Sequence, residues 1–136
     1  MGEPTSATFW PMSKPVGPYS PVLRAGDWVY TAGQLGLADG ALVDGGVDAQ
    51  VRQIFANAKG LLEKAGASFA DVVKCTVFLA DMADFPTMNA AYVDCFGDAS
   101  PNRPTRSTVG NVTMALGAQV EIEFTAYTGP GGVVAP

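Results

Sequence analysis

From Asp48 onward apolar residues recur every three or four positions, at Val51, Ile54, Phe55, Ala58, Leu61, Leu62 and Ala65. That spacing predicts an amphipathic helix with Asp48 as N-cap and Gly66 just past its end. A second, shorter stripe over residues 84–96 puts Phe85, Met88, Tyr92, Cys95 and Phe96 on one face, admits Pro86 in its first turn and stops at Gly97. Elsewhere the period drops towards two. Residues 28–34, 72–80, 106–112 and 119–127 are rich in β-branched and aromatic side chains and read as strands, the last with the cleanest alternation. Asp39-Gly40 ahead of Ala-Leu-Val signals a hairpin turn, and residues 16–21, Val-Gly-Pro-Tyr-Ser-Pro, form an extended, turn-rich lead-in. The order, roughly βββαβαββ, lacks strict βαβ alternation. It predicts an α+β domain in which two helices cover one face of a mixed sheet, leaving the other face in need of a cover.

A length of 136 residues suits one domain. We place it at residues 14–128, after an N-terminal segment at 1–13 and before a flexible Gly/Pro-rich tail at 129–136. No internal repeat is visible. Hydrophobic residues make up 48% of the chain and charged residues only 15%, sparing for the surface of a monomer, so copies of the same chain are the natural cover for the open sheet face. No apolar run approaches the ~18 residues of a membrane helix, and the start lacks the basic and apolar regions of a signal peptide. Residues 1–6 match the bare myristoylation pattern, for which an ordinary N-terminus is the plainer reading. A net charge of −5 disfavours a nucleic-acid partner, since phosphate neutralisation has little to draw on.

The chain contains no histidine, which excludes Ser-His-Asp and Cys-His catalysis and the histidine-based zinc and iron sites. Its two cysteines, Cys75 and Cys95, are too few and too far apart for a structural zinc site or a Cys-x-x-Cys motif. Both are expected to be reduced and buried, which fits the cytosol. No metal or organic cofactor is expected.

The polar candidates are Tyr19, Thr31, Asn89, Arg106, Ser107, Thr108, Glu121 and Glu123. A period of two puts Glu121 and Glu123 on the same strand face, about 7 Å apart, a spacing that suits paired carboxylates or simply a solvated face. Pro104 stiffens the approach to Arg106, whose planar fork could grip a carboxylate through two bonds or, taken alone, simply lie exposed at the surface. If the loop at 113–118 closes a hairpin, Arg106 lies opposite the neighbourhood of Thr125 and Glu121 opposite Gly110, roughly 13 Å apart along the strands. They could then meet only over a ligand or across a subunit boundary. Tyr19 is presented by the preceding proline, as the wall of a pocket or as ordinary packing, and Gly33 marks either a bulge or a place where backbone could approach a ligand closely.

Taken together, these segments resemble the reactive intermediate deaminase family, the RidA/YjgF-like imine deaminases. The resemblance is carried by residues 16–21, 26–35 (Gly-Asp-Trp-Val-Tyr-Thr-Ala-Gly-Gln-Leu), 84–92 (Asp-Phe-Pro-Thr-Met-Asn-Ala-Ala-Tyr), 104–107 (Pro-Thr-Arg-Ser) and 120–123 (Val-Glu-Ile-Glu), in the family's order and spacing. It implies a chorismate-mutase-like α+β fold, assembled as a homotrimer around a central barrel with clefts between subunits. It also implies hydrolysis of 2-imino acids, released as enamines by pyridoxal-phosphate enzymes, to 2-keto acids and ammonia. By the same resemblance Arg106 binds the substrate carboxylate and Glu121 positions or activates water. Tyr19, Thr31, Gly33, Asn89 and the Thr108 backbone line the cleft, and Glu123 is supporting. Thr108 stands where many active members have cysteine, and Val112 where a small or basic residue is usual.

The chemistry suits the residue inventory. An imine carbon is already electrophilic, so hydrolysis needs positioning, carboxylate neutralisation and one proton-transfer group. The alternatives are a non-catalytic module of the same fold that binds a small carboxylate, and the RNA cleavage ascribed to some relatives, against which the acidic charge and the lack of histidine both weigh.

Overall fold

The structure is a computed structural model that describes residues 7–9, 17–97 and 103–136. The N-terminal expectation for residues 1–6 lies outside the described residues. Among the described residues eight strands are formed: β1 (Ala7–Phe9), β2 (Val22–Ala25), β3 (Trp28–Thr31), β4 (Leu37–Ala38), β5 (Ala41–Leu42), β6 (Val72–Leu79), β7 (Thr105–Val109) and β8 (Val120–Tyr127). The helices are α1 (Gly46–Lys64) and α2 (Phe85–Phe96). Six strands build one mixed sheet in the order β1-β2-β3-β8-β6-β7, and β4 and β5 form a separate hairpin about Asp39-Gly40. This is the expected mixed α+β arrangement.

Sequence and structure differ at the start of α1. Gly45 and Gly46, both at positive φ, lead into the helix two residues before Asp48. Asp48 therefore sits in the first turn, where its charge favours the helix N-terminus and pairs with Arg52 at 3.1 Å. The strand expected at 28–34 also ends early, at Thr31, and β1 and β2 had no clear period in the sequence.

Along the sheet, alternate side chains divide cleanly. Val29, Val72, Cys75, Val77, Leu79, Val120, Ile122, Phe124 and Ala126 point towards α1 and α2 and join one buried cluster with Val51, Ile54, Leu62, Met88 and Phe96. Phe55 lies at its aromatic centre, meeting Tyr92, Phe96 and Phe124 edge-on at 5.7, 5.1 and 5.4 Å. Cys75 is buried as expected, whereas Cys95 is only partly covered; both are free thiols. The opposite face carries Trp28 and Tyr30, each about two-fifths exposed. Its upper end is covered by a small cluster of Leu35, Met114 and Ala118 with Phe78.

The expected hairpin between the last two strands does not form. β7 runs parallel to β6, and β8 pairs with the other edge of β6, antiparallel. The connecting loop arches over the end of β6: Val112 N–H donates to Leu79 O at 3.1 Å and Ala80 N–H to Gln119 O at 3.0 Å. Positive φ angles at Asn111, Leu116 and Gly117 bend the loop over that strand end. Gln50 of α1 then fixes the start of β8, accepting from Gln119 N–H at 3.0 Å and donating to its side-chain oxygen at 3.1 Å.

Candidate functional site

The candidate residues fall into two groups on opposite faces of the sheet. Arg106 lies on edge strand β7 opposite Cys75 of β6, so its side chain shares the helix-facing side. There α2 receives it. Nη1 donates to Asn89 Oδ1 at 2.8 Å, and the guanidinium carbon lies 4.7 Å from the Tyr92 ring centre and 5.5 Å from that of Phe85. Among the described residues the ion pairs involve Arg52 and Lys59, and no carboxylate pairs with Arg106. Thr108 follows two positions later on the same side, opposite Val77.

Glu121 lies on β8 opposite Phe78, and Glu123 opposite Thr76, both on the face turned away from the helices. The pairing of β3 with β8 passes from Tyr30↔Thr125 to an isolated bridge at Gln34↔Ile122. Three β3-side residues therefore oppose two of β8, a bulge of one residue. Thr31 holds this bulge from inside, its buried hydroxyl accepting from Phe124 N–H at 3.1 Å. That places Thr31 in the fold's interior, apart from both groups. Gly33 is pressed against Glu121 so closely that a Cβ there would overlap the carboxylate. Of the two readings of Gly33 the bulge is realised. Burial raises the Glu121 carboxyl above the usual range, and the neighbouring charge of Glu123 raises it further.

Tyr19 projects from a bend at residues 17–19 and is 47% exposed. The β2–β3 ladder continues one step past the strands, with Ala32 N–H donating to Pro21 O at 2.8 Å, so Tyr19 leads into the ladder on the Gly33 side.

On β6, the strand they flank, Arg106 and Glu121 are registered to Cys75 and Phe78. Their backbones are thus about 10 Å apart along the sheet and about 10 Å across it, with side chains on opposite faces. One copy of the chain cannot close both groups on one small molecule. The sequence did not single out Phe85 and Tyr92 as Arg106's neighbours, although their spacing with Asn89 (i, i+4, i+7) puts all three on one helix face. Among the described residues no cluster of three or more His, Cys, Asp or Glu side chains could hold a metal ion, and no helix is long and apolar enough to cross a membrane.

A family model described as Endoribonuclease L-PSP matches residues 11–128. A RutC family protein of Pyrococcus horikoshii is 40% identical over 116 residues, covering 84% of this chain and 90% of its own. The 2-iminobutanoate/2-iminopropanoate deaminase of Homo sapiens is 38% identical over 117 residues, covering 85% of this chain and 83% of its own. The crystal structure of RidA from an Antarctic Psychrobacter superposes with a TM-score of 0.78 at 38% identity, covering 84% of this chain and 91% of that one.

Proposed function

The chain belongs to the RidA/YjgF family, and from that premise we propose that it hydrolyses 2-imino acids to 2-keto acids and ammonia at a cleft between copies of itself. The observation that carries this reading is the setting of Arg106: a partly covered cation, oriented by an amide and two rings and paired with no carboxylate among the described residues, with its charge left for an incoming anion. Relatives bearing the deaminase name support the same substrate class.

Arg106 and Asn89 of one copy take the substrate carboxylate, and the Thr108 backbone extends that wall. Glu121, Gly33 and Tyr19 of the adjoining copy face it. Glu121 accepts a proton from water as the oxygen attacks the imine carbon, giving a tetrahedral amino alcohol. The carboxyl returns this proton to the imine nitrogen to complete the amino alcohol, then carries the hydroxyl proton to the same nitrogen as the carbonyl forms and the C–N bond breaks, and ammonia and the keto acid leave. A raised proton affinity suits a group that must both take and return a proton. Thr31 acts through the bulge, by keeping Gly33 beside the carboxylate. The imine is electrophilic enough that neither metal nor organic cofactor is required.

The assembly is a homotrimer, supported by the exposed Trp28, Tyr30 and Val109 on the uncovered face and by the separation of the two groups. The free thiols of Cys75 and Cys95 suit the cytosol.

The test mixes two inactive variants. Arg106→Ala and Glu121→Gln, each silent alone towards imines generated in situ from several amino acids, should recover about a quarter of the parent rate after exchange into random trimers, because one site in four then joins two intact halves. No recovery in demonstrably mixed trimers would place both groups in one subunit and overturn the shared cleft. A parent that binds 2-keto acids without accelerating imine hydrolysis would make the protein a carboxylate-binding module.

A further inference from the structure

Phe85, Asn89 and Tyr92 meet Arg106 from successive turns of α2, and none of them neutralises it. Two ring faces and an amide oxygen stabilise a cation while leaving its charge uncompensated. A carboxylate in the same place would occupy the fork that a substrate carboxylate needs. Of the two rings, Tyr92 is nearer and more firmly set: it is 4% exposed, lies edge-on to Phe55 at 5.7 Å and tilts against Phe96 at 4.9 Å. Its buried hydroxyl faces the Cys75 thiol, and the hydrogen bond of Arg106 goes to Asn89 instead. The ring therefore carries the residue's contribution. Burial pushes the nearby Cys75 thiol up to about 12 and also raises the Tyr92 phenol. Neither group becomes an anion at neutral pH that would compete for Arg106.

We propose that Tyr92, assisted by Phe85, is the positioning residue of the carboxylate grip, its ring face fixing the plane of the Arg106 guanidinium and leaving the fork open to a two-oxygen anion. The inference rests on the reading of Arg106 as that grip and adds the side chain that sets it.

In the unliganded protein, Arg106 side-chain protons should show an upfield ring-current shift by NMR, kept in Tyr92→Phe and largely lost in Tyr92→Leu. With 2-oxobutanoate as probe, Tyr92→Phe should bind within about twofold of the parent, and Tyr92→Leu roughly three- to thirtyfold more weakly. During imine turnover Tyr92→Leu should raise KM more than it lowers kcat. Should Tyr92→Leu lose its fold, Phe85→Leu, at a partly exposed position, should change the same readouts in the same direction by less. Parent-like affinity in the folded leucine variant, or equal losses in Tyr92→Phe and Tyr92→Leu, would overturn the proposal. A parent that binds no 2-oxobutanoate would overturn it together with the grip it depends on. A parent that binds 2-oxobutanoate but hydrolyses no imine would end the deaminase reading alone, because the ring shift and the titration still decide the role of Tyr92.

Discussion

On the helix side of the sheet Arg106 is held by what surrounds it: an amide at 2.8 Å, two aromatic faces and the packed helix that carries them. On the far side Glu121 is held by what is missing, the Cβ of Gly33, whose absence lets the carboxylate settle against backbone. The first arrangement stabilises a charge without cancelling it. The second partly buries a charge beside another of the same sign, which loosens its hold on the ionised form. A cation kept open and a carboxylate kept basic are complementary needs of imine hydrolysis, and the sheet itself keeps them from neutralising one another.

The largest effect expected on this contrast is that of Arg106→Ala, which should reduce imine hydrolysis to the uncatalysed background with the fold intact. Charge-assisted bonds of about 1.5–3 kcal/mol each are lost together with substrate orientation. Enzyme-dependent release of keto acid within threefold of the parent would break the comparison. Glu121→Gln preserves shape and removes the basic site, so turnover should fall roughly 10²–10⁴-fold while the affinity for 2-oxobutanoate stays nearly constant. A large loss of affinity would mean that Glu121 contributes to the grip. Gly33→Ala should leave the thermal midpoint close to that of the parent, because the atoms it displaces are the far end of a flexible side chain. Its rate should fall about 10²-fold from the misplaced carboxylate, and an unchanged rate would remove the glycine from the site.

The smallest effect is on pH. With the ionised form of Glu121 as the proposed base, the rate should decline on the acid side with an apparent pKa above the usual glutamate range. Glu123→Gln should move that limb to lower pH and change the neutral rate much less than Glu121→Gln does. For stability, the folded state holds the Glu121 proton more tightly than the unfolded chain. The cost of ionising it is thus fully present above the raised pKa and vanishes below the unfolded one. A pH limb unmoved by Glu123→Gln would show the two carboxylates to be electrically independent.

Elements whose side chains obey a local period were legible in the sequence: both helices, the alternation of β8 and the shared face of Glu121 and Glu123. Arg106 and Glu121 were legible as residues, but their placement on opposite faces was not. Face depends on register to β6, and that register is set by a loop arching over Leu79 and Ala80, with hydrogen bonds that no residue spacing encodes. Thr31 illustrates the converse. The family resemblance puts it in the cleft, and the structure shows its hydroxyl turned inward to the Phe124 amide at the bulge. The aromatic setting of Arg106 was hidden for another reason: Phe85 and Tyr92 serve the core stripe and the arginine at once, and a hydrophobic pattern reports only the first role.

The place of β8 has a consequence for how the chain comes to be folded at all. It is the last strand in sequence, yet it sits between β3 and β6, and every hydrogen bond joining β1-β2-β3 to β6-β7 passes through it. A nascent chain that has emerged only as far as the loop before Val120 holds two strand groups with no ladder between them and a core lacking Val120, Ile122, Phe124 and Ala126. Folding must therefore wait for that strand to leave the ribosome, and until then α1 and α2 expose their apolar stripes to whatever chaperone or neighbouring chain is at hand.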